Sequence, residues 1–301
     1  MPDKLMSNPA PDWCAERLVC RPALPGDTPA VLALASQIWD GNDYLPYVWE
    51  SWLAAPHNHL FIAMWGRELA GTINLKDLGA GHGFLAALRV HPLFQGRKFS
   101  NHLFEYALAA WSEMGGGELR LVTHRTRKVV HHLCEKFGFW PAAEIWPWIA
   151  PPLAGGPAPA LRPLAESSLD TALRQLQENP LLPPSLNLID LAWEYCPPQR
   201  SWLALAAVEG RGFSWRDGQG VLTFFFDEYD GLKFAYVESI ACQLDDLADL
   251  LLDARAWAAE NGCQNLTWNP PNLPVLQPQV LRAGFELAPE KERLVLFQRS
   301  G

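Results

Sequence analysis

Two hydrophobic periods alternate along this chain and mark out its elements. Leu60–Trp65 and Leu69–Leu75 are apolar runs separated by Gly66-Arg67, which predicts a hairpin. Phe84–Val90 is a third run with a single charge, Arg89, and reads as a strand buried on both faces. His91-Pro92 ends it, because proline removes a donor from the ladder. Beyond the polar loop Gln95-Gly96-Arg97-Lys98, residues Leu103, Phe104, Ala107, Leu108 and Trp111 recur at helical spacing, with Ser100 or Asn101 as the cap. Upstream, Arg17–Arg21 predicts a short strand. Asp27 or Thr28 with Pro29 opens a helix that turns Val31, Leu32, Leu34, Ala35 and Ile38 inward. Tyr47–Leu53 is an aromatic amphipathic segment. Downstream, Gly115-Gly116-Gly117 breaks the chain before a strand at Glu118–Thr123 and a helix at Thr126–Lys136, with Gly138 placed to terminate it.

After Trp146–Ala160, rich in proline, glycine and alanine, the pattern starts again. Leu161-Arg162-Pro163 and a helix from Ser168 echo Cys20-Arg21-Pro22 and its helix. Trp202–Val208 and Gly220–Phe226 predict a second hairpin-like pair, followed by a strand at Lys233–Ile240 and a long helix at Leu244–Ala258. A strand at Asn265–Trp268, a helix at Val275–Ala283, Gly284-Phe285 and a last strand at Arg293–Arg299 complete the echo. The expected division is a tail over 1–16, a first domain over 17–150, a linker over 151–160 and a second domain over 161–301.

Composition narrows the function. The chain has 301 residues, enough for two domains, and 49% hydrophobic against 19% charged residues gives each an ample core. A net charge of -9 argues against a nucleic-acid partner and favours attraction of a cationic, amine-bearing one. The six cysteines include no CxxC pair and do not form a disulfide or zinc framework. The start, MPDKLMSNPAPDW, has no apolar core of a signal peptide, and no run reaches membrane length. A cytoplasmic protein without a membrane partner is expected. The 14 tryptophans are scattered, as core or pocket wall would be.

A glycine-containing loop that opens a helix offers free N–H groups and a favourable dipole to an anion, so the first physical reading of Gln95–Ser100 is a pyrophosphate cradle. Val90-His91-Pro92 followed by Gln95-Gly96-Arg97-Lys98-Phe99-Ser100 resembles motif A of the GNAT N-acetyltransferase superfamily. Leu133-Cys134-Glu135-Lys136-Phe137-Gly138-Phe139 is similar to that family's L-Y-E-K-x-G-F signature, and the two stand in the family's order. The resemblance implies an α+β protein of two tandem GNAT-like (acyl-CoA N-acyltransferase) domains, each a mixed central sheet with flanking helices. It implies acetyl-CoA as co-substrate and direct attack of an amine on the thioester. Leu88, Arg89 and Val90 would pair their backbone with the pantetheine arm, and Gln95, Gly96, Arg97, Lys98, Phe99 and Ser100 would hold the pyrophosphate. Lys98 stands where the family prefers glycine. Either the position asks for a backbone conformation that glycine adopts freely, or Lys98 and Arg97 add charge to a phosphate site. In the second half the equivalent turn, Ala241-Cys242-Gln243-Leu244-Asp245-Asp246, has no glycine, and its acidic pair repels a pyrophosphate. That half is read as degenerate.

Cys134 falls where the family carries a tyrosine that protonates the leaving thiolate; it is either that acid or a small buried hydrophobe. His124, just past a strand end, is either a proton relay from the amine or a solvated loop histidine. His131, His132, Cys134 and Glu135 lack ligand spacing beyond one helix face, so no metal is expected.

Gln37–Pro46 and then Ser51-Trp52-Leu53 resemble the matching region of the histidine N-acetyltransferase family and its bacterial relatives, over about the first 145 residues. On that reading Asp43 meets a cationic group, while Tyr44 and Trp39 wall an apolar side chain; otherwise Asp43 caps a helix and Tyr44 packs in the core. The expected activity is N-acetylation of a small-molecule amine, such as an amino acid, by a monomer or homodimer. The alternative is a non-catalytic acyl-CoA-binding or sensor protein, and a third class is a structural remnant.

Overall fold

A computed structural model describes residues 18–229 and 231–301. The expected tail and Arg17 lie outside the described residues. The chain forms two compact units, one running to Asp77 and including Leu85–Gly116, the other made of Leu78–Phe84 and Gly117–Gly301.

The first unit holds β1 (Leu18–Pro22), α1 (Thr28–Ala35), α2 (Leu45–Ala54), β2 (Asn58–Trp65), β3 (Glu68–Asp77), the larger part of β4 (His82–Val90) and α3 (Phe99–Glu113). The predicted hairpin is β2 with β3, antiparallel with one irregularity at Ala63/Met64. Asp27 holds the entry to α1: its carboxylate takes both Arg21 guanidinium arms at 2.7 Å and the Leu24 N–H at 2.7 Å. Val31, Leu34, Leu45, Trp49, Leu60 and Ile62 form the core between the two helices and the sheet.

The second unit begins with β5 (Glu118–His124), α4 (Lys128–Lys136), β6 (Trp140–Ile145), β7 (Trp148–Ala150), β8 (Leu161–Pro163) and α5 (Leu169–Gln177). It continues with β9 (Ile189–Asp190), β10 (Tyr195–Cys196), α6 (Arg200–Val208), β11 (Gly212–Trp215), β12 (Gly220–Tyr229), β13 (Leu232–Ala241) and α7 (Leu247–Glu260). It ends with β14 (Leu266–Trp268), α8 (Gln277–Arg282), β15 (Glu286–Leu287) and β16 (Leu294–Arg299). Its core is centred on Trp257, which stacks on Phe224 at 3.9 Å and lies 5.3 Å from both Phe213 and Phe226.

Two seven-stranded sheets result, with orders β1-β2-β3-β4-β5-β16-β6 and β15-β7-β14-β13-β12-β11-β8. Both are mixed, since β4–β5 and β13–β14 pair in parallel. The architecture is the expected α+β arrangement of two sheets with flanking helices.

Two features depart from the sequence reading. Trp202–Val208 is helix α6 and not a strand; β12 pairs instead with β11. Leu203 and Ala206 are buried three residues apart while Leu205 and Val208 are exposed, which is a helical face in an alanine-rich segment. The second departure is an exchange of strands. β16 does not close the second sheet but inserts between β5 and β6 of the first, and β7 lies between β14 and β15 of the second. An apolar run such as Leu294–Phe297 specifies a buried strand, and leaves its neighbours to the tertiary fold.

Candidate functional site

β4 carries the site. Its ladder with β5 covers three pairs, His82 to Phe84 with Glu118 to Arg120, whereas the strand itself runs on to Val90. Inside that free length Ala87 has φ +52°, a left-handed residue within a strand, and its carbonyl accepts the Thr72 hydroxyl at 2.9 Å. Such a kink breaks the regular ladder and re-aims the residues after it. From there Leu88 and Val90 are half-buried and Arg89, on the opposite face, is buried. Gly71 of β3 lies so close behind β4 that a Cβ there would collide with the Arg89 carbonyl oxygen.

The turn after β4 is pinned at both ends and open between. Phe94 and Phe99 are buried with ring centroids 5.6 Å apart, and Phe99 stacks on Trp65 at 5.3 Å. Gln95, Gly96, Arg97 and Lys98 between them are exposed. Gly96 has φ +78° and Lys98 φ +63°, so the position where glycine was the resembled preference does adopt the left-handed conformation. Lys98 is the N-cap of α3 and provides no side-chain cap. Gln95 N–H donates to the Pro92 carbonyl at 3.3 Å, Arg97 N–H to that of Phe94 at 3.4 Å and Asn101 N–H to that of Lys98 at 2.9 Å, so the helix N–H groups that lie ahead of the first intrahelical bonds are those of Phe99 and Ser100. The bend is neither closed off nor buried.

Behind the strand, the Arg89 side chain gathers all three residues assigned to the acceptor. Arg89 Nε donates to Asp43 Oδ2 at 2.7 Å and its terminal nitrogen to Asp43 Oδ1 at 2.9 Å. The guanidinium lies 4.3 Å from the Trp39 ring and 5.1 Å from that of Tyr44. Asp43 is buried and also accepts the Leu45 N–H at 3.2 Å, so it both caps α2 and neutralises a cation of the protein itself. Trp39 and Tyr44 keep 40% exposure each, and Tyr44 also meets the Trp52 ring edge-on at 6.0 Å. Trp39, Asp40 and Gly41 all have positive φ, at 50°, 56° and 85°. Backbone strain of this kind persists only where its surroundings hold it, here the Arg89 contact. Sequence spacing gave no sign that Arg89 would serve these residues, because the partners are 46 positions apart.

His124 ends β5. Its Nδ1 lies 3.0 Å from the Lys291 carbonyl, which can only accept, so the neutral ring carries its proton on Nδ1 and a lone pair on Nε2. Burial, with the Arg127 charge nearby, holds the ring below the usual histidine range and keeps it neutral at pH 7. Cys134 is different. It is fully buried on α4, and burial pushes its thiol up to about 12. Its carbonyl accepts the Phe139 N–H at 2.9 Å, and Glu135 takes that of Gly138 at 3.1 Å, with Gly138 at φ +76°. These bonds form a Schellman cap, so this signature segment ends the helix and buries the cysteine as a small apolar group. Among the described residues no group of three or more His, Cys, Asp or Glu is placed to hold a metal ion.

Residues 29–139 match the model of the Acetyltransferase (GNAT) family. No curated relative matches the sequence. A solved GCN5-related N-acetyltransferase from Sphaerobacter thermophilus is similar over 96% of both chains, with a TM-score of 0.63 at 16% identity. GCN5-related N-acetyltransferases from Kribbella flavida and Anabaena variabilis give TM-scores of 0.58 and 0.57, each at 14% identity. They cover 95% and 94% of this chain and 71% and 72% of their own.

Proposed function

Taking residues 29–139 as a domain of the GNAT acetyltransferase family, and the whole chain as two GNAT-like folds in tandem, we propose that the protein transfers an acetyl group from acetyl-CoA to a small-molecule amine. The observation that carries this reading is the exposed turn Gln95–Lys98, left-handed at Gly96 and Lys98, opening α3 without a side-chain cap. Its N–H groups and the helix dipole suit a pyrophosphate, and Arg97 and Lys98 add charge. The kink at Ala87 and the end of the β4 ladder leave Leu88–Val90 for the pantetheine amides. The coenzyme belongs to the expected domain 17–150, and the expected domain 161–301 has none.

The amine nitrogen attacks the thioester carbonyl, a C–N bond forms, the C–S bond breaks, and the nitrogen's proton leaves. His124 Nε2, with its lone pair and neutral ring, is the proposed acceptor of that proton. Trp39 and Tyr44 are the proposed wall for the acceptor's side chain, and an amino acid is the proposed class. Asp43 acts through Arg89, as a positioning residue. The setting of Cys134 offers little for proton donation, and water is the better source for the thiolate. The protein is proposed to work in the cytoplasm, as a monomer or homodimer, without nucleic acid or membrane.

Calorimetry with acetyl-CoA, then CoA release across a panel of amino acids and simple amines, tests this. Saturable binding and turnover with one amine are expected. No binding and no release with any amine would overturn it. Binding without turnover selects the second reading, an acyl-CoA sensor, which the buried Cys134 favours.

A further inference from the structure

The second half has a cleft of its own where β13 and β14 part, with acidic and amide groups on a largely apolar wall. Their ladder covers Ala235 to Val237 with Leu266 to Trp268, and the residues that follow on both strands line a cleft whose enclosed part measures ≈ 30 Å³, enough for a head group of about two water molecules' size, and which is open on one side. Every lining residue lies within 145–296. Leu176, Leu182 and Leu186 provide apolar wall, and Asp190, Glu238 and Asn269 provide acceptors.

Three observations describe what those acceptors lack. The Asp190 carboxylate is buried and takes the Trp193 N–H at 2.6 Å, the Asn269 amide at 2.9 Å and the Tyr195 hydroxyl at 3.2 Å. All three donors are neutral. Glu238, by contrast, has the Arg211 guanidinium at 2.7 Å. Finally, Asn269 is only 5% exposed and its Oδ1 has no hydrogen-bond partner among the described residues. Its orientation is fixed, because the amide nitrogen must face the Asp190 carboxylate, so an oxygen is the atom left over. Among the described residues this is a buried carbonyl without a donor beside a buried carboxylate without a cation, an arrangement that a donor-rich cation would complete.

We propose that this cleft is a binding site for a small primary ammonium with a short apolar tail, held by Asp190 and Asn269 Oδ1 against Leu182 and Leu186. An ammonium has three donors and no acceptor, which matches two acceptors and conflicts with nothing on the wall. The site is built from the half read as lacking a coenzyme, and it stands or falls independently of acetyl-CoA binding. Burial pushes the Asp190 carboxyl up to about 6, which leaves it ionised at neutral pH.

The test is titration of the full-length protein with n-butylammonium chloride at pH 7.5, read by calorimetry and by thermal shift without acetyl-CoA. Saturable binding at about 1 mM or below is expected, with n-butanol at least about tenfold weaker. Asp190→Asn should weaken n-butylammonium at least about tenfold. Leu186→Trp fills the cleft without altering a polar group, so it carries the test if Asp190→Asn fails to fold, and it should abolish binding. No saturable binding to the unmodified protein, equal binding of n-butanol, or unchanged affinity in Leu186→Trp would overturn the proposal.

Discussion

β4 with α3 and β13 with α7 are the same crossover built twice, a strand, a turn and a long helix, with a three-pair parallel ladder to the strand that follows. The turns diverge. After β4 the chain passes through two left-handed residues and leaves a cationic, exposed bend. After β13, Cys242 is buried, and Leu244–Asp246 is a short 3-10 turn with no left-handed residue and two acids in front of the helix. The charges behind the strands differ as well. Arg89 is satisfied by Asp43, while the second half has Glu238 against the Arg211 guanidinium at 2.7 Å and a carboxyl, Asp190, whose donors among the described residues are neutral. One backbone plan thus carries an exposed turn with two basic residues in one copy and a cleft lined by two buried acids in the other.

Asp43→Ala is the severest way to break this contrast. It strands a buried guanidinium and should lower stability by about 3–5 kcal/mol in denaturant titration. Asp43→Ala with Arg89→Met should recover part of the loss, and no recovery would mean that Asp43 acts mainly as the cap of α2.

The second copy should instead be weakened by rising pH. Asp190 goes from its ordinary 3.8 to about 6 and Glu238 from 4.5 to about 8, in both cases through burial. Tyr195, Tyr236 and Glu238 surround Asp190, and Arg211 faces Glu238. A carboxyl with a raised folded value binds more protons folded than unfolded, so stability falls as pH climbs from about 4 to about 6 for Asp190 and onward to about 8 for Glu238. Relative to the unmodified protein, Asp190→Asn should gain about 3 kcal/mol across the lower window. Parallel melting-temperature profiles for the two would refute this.

Exchanging the turns' charges sharpens the comparison. Arg97→Asp with Lys98→Asp should weaken acetyl-CoA about 100-fold by calorimetry, the sum of two charge reversals at a helix N-terminus. Asp245→Arg with Asp246→Lys should leave binding at one acetyl-CoA per chain, because that turn has no left-handed residue to shape a cradle. The smallest effect is at Lys98→Gly. Relief of the left-handed strain, less the entropy gained by the unfolded chain, should raise stability by no more than about 1 kcal/mol. Loss of the charge should weaken acetyl-CoA about threefold to fivefold. Unchanged affinity would leave Lys98 with a purely conformational role.

The first copy was legible because its signals are local. The apolar runs on either side of Gly66-Arg67, the proline after Val90 and the glycine loop before α3 each act within a few residues, and each appears where it was expected. What escaped was non-local. Nothing near Leu294 shows that β16 pairs with β5 and β6, and nothing near Trp202 distinguishes an alanine-rich helix from a strand until its neighbours decide which side chains are buried. The Asp43–Arg89 pair joins positions 46 apart, and the Asp190–Asn269 pair positions 79 apart. A lone acidic residue in a sequence does not announce a buried partner on another element. The left-handed Ala87 is equally silent, since alanine has no preference for that region.

The insertion of β16 has a consequence for biosynthesis. β6 ends at Ile145 and β16 starts at Leu294, so the strand that joins β5 to β6 leaves the ribosome 149 residues after the second of them. At about 5–20 residues per second, the nascent chain waits roughly 10–30 s with β5 and β6 unjoined. Unpaired edges of that kind recruit other chains. Whatever shelters them in that interval, a chaperone or the emerging second half, governs the yield of folded protein, and a stop codon just before Leu294 would leave β5 and β6 unjoined.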